Sequence, residues 1–314
     1  MTQSLLHRLL YAVVLRPSKG SAPSLGKVME ELVNNHPDSL STLLRHYRRA
    51  VVHNVFRSRC KSQYIGNNQI LCRVLANKKM FVIGDDVGFS PHMITEGYWE
   101  YWLTQYFAQN IKNGDTVLDI GANLGYYTIL AGDLVGKEGN VVAVEPNPFV
   151  FSLLSKTVLH NGYQARTKLH HFALAVEEET GTRKFFVPAN EPKNGTILSE
   201  DADVPAHENW GEVLDIELGC LNPDDFERVD FIKIDVEGAE LGVLRSLKPI
   251  IEKHRPRIVC EVNFHRGYGF QDIQKALGES GDLKYLDYDG KVQPLTKTMA
   301  EQQTDEDDWL VCWP

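Results

Sequence analysis

The chain has 314 residues, and its apolar (43%) and charged (24%) fractions are those of an ordinary soluble globular protein. Five scattered cysteines without a Cys-x-x-Cys pair argue against a disulfide framework or a zinc cluster and predict a reducing, cytoplasmic location. No apolar run approaches the roughly 20 residues that span a bilayer, and residues 9–15 lack the cleavage site of a signal peptide.

The net charge of −9 is unevenly distributed. Residues 1–80 hold 13 lysines and arginines against three acids, whereas the remainder holds 20 against 39. We expect the basic part to neutralise the acidic part, within the chain or at a partner subunit, with anionic lipid or a phosphorylated substrate as alternatives. Nucleic acid is not an expected partner, because the acidic body would repel phosphates and no nucleic-acid motif is present.

The first third of the chain reads as mainly helical and aromatic-rich. Its predicted elements are helices over 1–16, 25–34 and 39–59, a hairpin over 70–83 and a helix over 96–112. The first helix is amphipathic and is expected to pack on its own protein or a partner subunit, which predicts a homo-oligomer such as a dimer. Peripheral membrane contact through residues 1–60 is the alternative. We predict a helical, basic extension over 1–79 and a catalytic domain over 80–314.

From Asp115 onward the pattern alternates between strand and helix, which predicts an α/β fold with a mostly parallel sheet and helices on both faces. The predicted strands are 116–120, 141–145, 167–173, 229–235 and 257–261, followed by 284–288 and 309–313 as an added hairpin. The long polar segment 177–225 contains one predicted strand, 183–187. It is too long for a simple connection and is predicted to cover the active site.

The turn after the first of these strands gives the clearest indication of a ligand. Gly121 and Gly125 frame Asn123, and this spacing lacks the middle glycine of the dinucleotide fingerprint. Asp119, directly before the turn, would repel a phosphate but suits a cation. The pattern therefore favours S-adenosylmethionine, with a nicotinamide cofactor as the alternative.

The ends of the other strands complete the predicted site, because ligands of open α/β sheets bind at the carboxyl ends of the strands. Glu145 follows Gly121 by 24 residues, the spacing expected of a carboxylate that accepts ribose hydroxyls. Phe172 and Ala173 offer an apolar edge for an adenine. Asp119 and Glu145 also have simpler readings, as a helix cap and a solvated strand end. Lys233, in an apolar strand, requires a partner, for which Asp235 is the candidate.

Three motifs together resemble the FkbM-type methyltransferases: 119–128 (DIGANLGYYT), 144–147 (VEPN) and 231–240 (FIKIDVEGAE). The resemblance covers about residues 80–314 and includes the flanks 97–100 and 259–261. It implies a Rossmann-like class I methyltransferase fold with a seven-stranded sheet, acting on a hydroxyl of a sugar or natural product. The cofactor-binding residues it implies, together with those from the strand ends, are Glu100, Asp119, Gly121, Asn123, Glu145, Asn147, Phe172, Ala173 and Asp235.

The catalytic group is left open among several residues at the last two strand ends. A hydroxyl acceptor must lose a proton, and the candidate bases are Asp235, Glu237, Glu261 and His265. Alternatively, Asp235, Glu261 and Asn263 hold a Mg²⁺ ion that acidifies the hydroxyl.

We expect an S-adenosylmethionine-dependent O-methyltransferase whose acceptor is a small molecule or a glycan: a carbohydrate, glycoconjugate or natural product. The alternatives are a nicotinamide-dependent oxidoreductase, and a non-catalytic module that docks on a membrane or partner through the basic segment.

Overall fold

A computed structural model describes residues 39–175, 181–189, 191–198, 211–278, 282–304 and 308–313. The helices predicted over 1–16 and 25–34 lie outside these ranges. Within them, no helix has both the length and the apolar character that crossing a membrane requires.

The N-terminal part combines helices with a small antiparallel sheet. Its elements are α1 (Leu40–His46), α2 (Arg49–Arg59), β1 (Lys61–Gly66), β2 (Gln69–Val74), β3 (Lys78–Ile83), α3 (Ser90–Thr95) and α4 (Tyr101–Asn110). The single helix predicted over 39–59 is therefore two helices, because Tyr47 takes an extended conformation between them. The helix predicted over 96–112 starts later, at Tyr101, because Glu100 has a left-handed backbone with φ of 34°.

Part of the segment predicted as a helical extension forms the strands β1, β2 and the start of β3. Asn67 and Asn68 both have positive φ, which is the geometry of a tight hairpin turn, so β1 pairs with β2 and extends the predicted hairpin to three strands. The boundary predicted between residues 79 and 80 falls inside β3. Leu43 and Leu44 of α1 pack in the same core as Phe107 and the central sheet, and the division into two domains stays a prediction.

The predicted α/β fold is confirmed by an eight-stranded, mostly parallel sheet. Its strands are β4 (Thr116–Ile120), β5 (Asn140–Val144), β6 (Thr167–His170), β11 (Phe231–Ile234), β12 (Arg257–Val262), β13 (Lys284–Leu286), β14 (Val292–Pro294) and β15 (Trp309–Trp313). Their order is β6-β5-β4-β11-β12-β15-β13-β14. The antiparallel β15 lies between β12 and β13. The short edge strand β14 is the one strand beyond the predicted seven.

Helices cover both faces of this sheet because neighbouring strand residues point to opposite sides. The helices are α5 (Tyr126–Leu134), α6 (Pro148–His160), α7 (Glu240–Ser246), α8 (Lys248–His254), α9 (Phe270–Leu277) and α10 (Lys297–Ala300). Val117 and Phe231 join the core under α4, α5 and α6, whereas Leu118 and Ile232 join the core under α7, α8 and α9. The central strands are therefore buried on both faces, which explains their continuous apolar runs.

A second, smaller sheet lies in the segment predicted to be a cover. It contains β7 (Ala173–Leu174), β8 (Thr182–Pro188), β9 (Thr196–Ile197) and β10 (Gly211–Gly219), in the order β7-β10-β8-β9. The strand β10 was not predicted, although residues 214–218 within it alternate between apolar and polar side chains. The sheet is anchored to the main fold at β7, which pairs in parallel with the end of β10.

Candidate active site

A cavity of about 310 Å³ opens at the carboxyl ends of β4, β5, β11 and β12. This is the edge at which open α/β folds bind ligands. The predicted site residues that line it are Glu100, Gly121, Asn123, Glu145, Ala173, Asp235, Glu237 and Glu261. The structure thus brings together residues that are up to 161 positions apart in the chain.

The turn after β4 is shaped by three residues with left-handed backbones, Gly121, Asn123 and Gly125. Gly121 has φ of 72°, and a Cβ atom there would lie 1.8 Å from the carbonyl oxygen of Asp235. Only glycine fits that position, because the turn passes directly over the end of β11. The backbone N–H groups of Gly121 and Ala122 both donate to Val144 O at 3.0 Å, which ties the turn to β5.

Glu145 is held from both sides by backbone donors. Its Oε2 accepts from the N–H of Asn123 at 2.9 Å, and its Oε1 accepts from the N–H of Asn147 at 2.8 Å. Burial raises the pKa of Glu145 to about 7, although both N–H groups act in the opposite direction. Each oxygen keeps one lone pair, so the carboxylate is fixed in place and can still accept hydrogen bonds from a ligand.

Lys233 links the ends of β4 and β11. Its Nζ donates to Gly121 O at 2.9 Å and lies 3.1 Å from Asp235 Oδ2 and 3.6 Å from Asp119 Oδ1. Burial alone would lower the pKa of this ammonium, but the charges of Asp235 and Asp119 outweigh it and raise the pKa. Lys233 therefore stays charged and offsets the two aspartates, as a buried ammonium requires.

Asp119 lies beneath the cavity and is fully buried. Its Oδ2 accepts from Thr128 Oγ1 at 2.6 Å, while its Oδ1 has no hydrogen-bond donor within the described part of the chain. Burial raises the pKa of Asp119, with Lys233 acting against the shift. Its contact with the site thus runs through Lys233 and the turn.

The acids near β11 and β12 crowd one another. Burial and the charge of Asp235 raise the pKa of Glu237 to about 7. The charge of Asp235, followed by burial and Glu100, raises the pKa of Glu261 well above its usual range. Asp308 also lines this side of the cavity. Glu237, with its pKa of about 7, can exchange a proton near neutral pH, which suits a general base.

Four predicted residues do not line the cavity. Asp119 lies beneath it, as described above, and His265 is exposed on the loop after β12. Phe172 packs against Gly219, because the chain turns away after β6 and presents Ala173 and Leu174 instead. Asn147 is buried, and its Oδ1 caps α6 through the N–H groups of Phe149 and Val150. The roles assigned to all these residues stay predictions.

The alternative metal site is not assembled as predicted. Asp235 and Glu261 line the cavity, but Asn263 does not. The Asn263 Oδ1 accepts from the N–H of His265 at 2.9 Å, so its oxygen is already used by the backbone. In the ranges that the structure describes, no three Asp, Glu, His or Cys side chains are arranged to hold a metal ion.

Several lining residues were not predicted individually, among them Trp99, Lys193, Ile197 and Asp308. Lys193 and Ile197 belong to the predicted cover, but nothing in the sequence singles them out. Asp308 directly precedes β15. Since β15 is antiparallel, its start lies at the edge where the parallel strands end, and knowledge of that direction would have identified the residue.

Comparison with known proteins places this site in a family. The family model of the methyltransferase FkbM domain matches residues 119–289, which is more than half of the chain. The chain belongs to the FkbM methyltransferase family. The model of protein-L-isoaspartate(D-aspartate) O-methyltransferase overlaps this FkbM domain and matches residues 51–182. The predicted resemblance is thereby confirmed, and the turn after β4, Glu145 and the β11 motif all lie inside the FkbM match.

Individual relatives of the FkbM domain come from fungi and bacteria. Methyltransferase 1 of Beauveria bassiana is 30% identical over 42% of this chain and 57% of its own length. The 31-O-demethyl-FK506 methyltransferase FkbM of Streptomyces tacrolimicus is 27% identical over 54% of this chain and 70% of its own. A crystal structure of methyltransferase FkbM from Methylobacillus flagellatus is 15% identical in sequence, with a TM-score of 0.40. The match covers 68% of this chain and 53% of that one. The chain thus spans less than two thirds of the length of the fungal relative.

Proposed function

We propose that the protein is an S-adenosylmethionine-dependent O-methyltransferase that methylates a hydroxyl of a carbohydrate, glycoconjugate or natural product. The observation that carries the proposal is the chemistry of the cavity wall next to the glycine turn. Six carboxyl groups line the cavity against two lysines; the acids are Glu100, Glu145, Asp235, Glu237, Glu261 and Asp308. Such a wall attracts a sulfonium and an ammonium and repels a pyrophosphate. The same observation disfavours a nicotinamide dinucleotide.

The cavity also offers what the neutral part of S-adenosylmethionine requires. Glu145 presents a fixed carboxylate to the ribose hydroxyls, and Ala173 and Leu174 provide an apolar edge for the adenine. Lys233 and Asp119 keep the turn and the end of β11 in register beneath the ligand.

When bound, S-adenosylmethionine supplies an activated methyl carbon that an acceptor oxygen attacks as the carbon–sulfur bond breaks. The protein aligns the two partners and receives the proton of the acceptor hydroxyl. We assign that role to the carboxylates at the end of β11 and β12, with Asp235 first and Glu237 and Glu261 beside it. The ammonium of Lys233, 3.1 Å from Asp235, keeps that carboxylate oriented.

Isothermal titration with S-adenosylhomocysteine tests the cofactor. We expect micromolar or tighter binding to the full chain, weakened in Glu145→Gln and unchanged in Glu138→Gln. Glu138 is the matched control because it is exposed near the opposite, amino-terminal edge of the sheet. Absence of binding well above micromolar concentrations would refute the proposal, and binding of NADH instead would support the oxidoreductase.

A test of the predicted membrane and partner contacts requires a truncation that ends before residue 60. Removing residues 1–60 would delete α1 and α2, whose Leu43, Leu44 and Val52 are buried in the core. A shorter form that lacks only residues 1–38 keeps α1 and α2 and therefore preserves these contacts. We propose that vesicles containing anionic lipid retain the full chain more than this truncated form; equal co-sedimentation would exclude that role.

A further inference from the structure

The cover carries one cationic side chain into the acidic cavity, that of Lys193. In the described part of the chain the only other lysine or arginine lining the cavity is Lys233. Lys233 is bound to Gly121 O and Asp235, and its side chain is only 4% exposed. Lys193 is therefore the cation that the cavity presents to an anionic group of a ligand.

Hydrogen bonds hold this part of the cover in place. At one end, Asn147 Nδ2 donates to Pro192 O at 3.1 Å, and at the other, Thr196 Oγ1 donates to Glu237 O at 3.0 Å. Between them, Lys193 Nζ donates to Asn194 Oδ1 at 2.6 Å. The lysine is thus presented by a segment that is attached to the ends of both β5 and β11.

The side chain of Lys193 also crosses the loop before α3. A Cβ atom at Gly88 would lie 3.3 Å from both Cε and Nζ of Lys193, so the stem packs over bare backbone. This contact and the bond to Asn194 restrict where the ammonium can reach. A restricted cation loses less side-chain entropy when it binds an anion.

Glu100 and Glu237 both line the cavity within electrostatic range of this lysine. Glu237 already pairs with Arg266 at 3.5 Å, so Glu100 is the better candidate. It precedes α4, and its Oε2 accepts from the Tyr127 hydroxyl at 2.6 Å. Burial raises the pKa of Glu100 to about 7, while the charges of Lys233 and Lys193 act in the opposite direction. A hydrogen-bonded carboxyl group and a restricted ammonium thus line the same cavity.

We propose that Glu100 and Lys193 together bind the amino-acid end of S-adenosylmethionine, with Glu100 receiving its ammonium and Lys193 its carboxylate. The inference rests on the proposed function. An α-amino acid carries both charges on one carbon, so its recognition requires an acid and a base near each other. A carboxylate buried among six acids without a cation would be strongly disfavoured. Lys193 removes that penalty.

Three ligands separate the two halves of this contact. S-adenosylhomocysteine carries both groups, its decarboxylated analogue keeps only the amine, and 5′-methylthioadenosine lacks both. We expect Lys193→Met to weaken binding of S-adenosylhomocysteine by roughly 10- to 100-fold, the scale of a lost charged hydrogen bond. The decarboxylated analogue should bind the variant about as well as the wild type.

The second variant, Glu100→Gln, should show the complementary pattern. It should weaken S-adenosylhomocysteine and the decarboxylated analogue, because both carry the amine, and leave 5′-methylthioadenosine unaffected. Lys193→Arg should retain most of the affinity. Lys184→Met is the matched control, since Lys184 lies in the same small sheet, is 60% exposed and pairs with Asp215 at 2.9 Å.

Each outcome of the titrations decides the inference. Equal losses for all three ligands in Lys193→Met would show that the lysine only supports the cover, and would overturn the proposal. Unchanged affinity for S-adenosylhomocysteine would also overturn the proposal and would indicate that Lys193 contacts the acceptor instead. If the wild type binds none of the adenosyl ligands, the proposed function itself fails; if it binds them without ligand-selective losses, only the assignment of Glu100 and Lys193 fails.

Discussion

The two sides of the cavity use carboxylates in opposite ways. On the β4–β5 side, the oxygens of Glu145 each accept a backbone N–H, so the position of the group is set by the chain itself. On the β11–β12 side, Glu237 and Glu261 are shifted chiefly by burial and by the charge of their neighbour Asp235. We call the β4–β5 side the fixed side, because backbone donors set the position of its carboxylate. We call the β11–β12 side the adjustable side, because the charge of a neighbour raises the pKa of its glutamates. This difference suits a division between cofactor binding and proton transfer.

The largest effect is expected where the two sides meet, at Gly121. In Gly121→Ala the added Cβ overlaps the carbonyl of Asp235, and its φ of 72° is strained for alanine. The matched control is Gly162→Ala, which has φ of 70° but nothing within 4 Å of the new atom. We expect the control to lose about 1 kcal/mol and Gly121→Ala to lose more than about 3 kcal/mol.

Thermal unfolding measures the loss of stability in Gly121→Ala, and titration with S-adenosylhomocysteine measures its loss of binding. Gly121→Ala should also abolish detectable binding, because the turn can no longer lie against β11. Similar behaviour of the two variants would show that the close approach of turn and strand matters little.

Removal of the Lys233 ammonium should have the next largest effect on stability. Lys233→Met leaves Asp119 and Asp235 without their cation, and breaking a buried pair costs about 3–5 kcal/mol. Lys248→Met is the control, because Lys248 pairs with Glu252 on the surface and such pairs contribute about 0–1 kcal/mol. Urea unfolding compares the two. A loss below about 1 kcal/mol in Lys233→Met would mean that the aspartates are neutral in the folded protein.

Substitution of the candidate bases distinguishes the catalytic roles of the β11–β12 carboxylates. With an identified acceptor, we expect Asp235→Asn to lower kcat by roughly 10²- to 10⁴-fold, and Glu237→Gln by less. Asp235 directly follows β11 at the cavity and is held by Lys233, whereas Glu237 lies in the following turn. His265→Gln serves as the control because His265 is exposed outside the cavity. Normal turnover in both acid variants would refute the assignment.

The β4–β5 side was largely predictable from sequence, because its determinants are local. A glycine that must approach another strand and an acid at a strand end both leave a short, recognisable pattern around Gly121 and Glu145. The alternation of strands and helices after Asp115 likewise predicted a mostly parallel sheet with helices on both faces. The cofactor role of Asn147 stays a prediction, and its side-chain amide is bonded to α6 and Pro192.

The β11–β12 side was less predictable because its properties arise between distant residues. Asp308 reaches the cavity only because β15 runs antiparallel, and Lys193 only because Asn147 and Thr196 hold the cover. The rise in the pKa of Glu237 and Glu261 caused by the charge of Asp235 depends on distances that no spacing rule supplies. His265 shows the converse case, since it follows a strand end but does not line the cavity.

A change of pH should alter stability and ligand affinity through Glu145, on the β4–β5 side of the cavity. The pKa of Glu145 is about 7 in the fold against 4.5 for an ordinary glutamate, because burial penalises its charge. Such a raised acid pKa makes the ligand-free protein lose stability as pH rises from about 4.5 to 7. Ribose hydroxyls need the charged form, so affinity for S-adenosylhomocysteine should fall by about tenfold through this group between pH 8 and 6. In Glu145→Gln the weakened affinity should show a smaller pH dependence; an unchanged slope would assign the effect to Glu100.

Removal of divalent metal should have the smallest effect, and it tests whether the adjustable side needs an added cation. Lys233 Nζ already lies 3.1 Å from Asp235, and the Asn263 oxygen is bonded to the backbone N–H of His265. A Mg²⁺ ion would have to compete with that ammonium for Asp235 and displace that backbone bond. We therefore expect turnover after exhaustive chelation to stay within about twofold of the untreated enzyme. If activity is lost and added Mg²⁺ restores it, the β11–β12 carboxylates act as metal ligands, and the comparison between the two sides changes from geometry against protonation to geometry against metal binding.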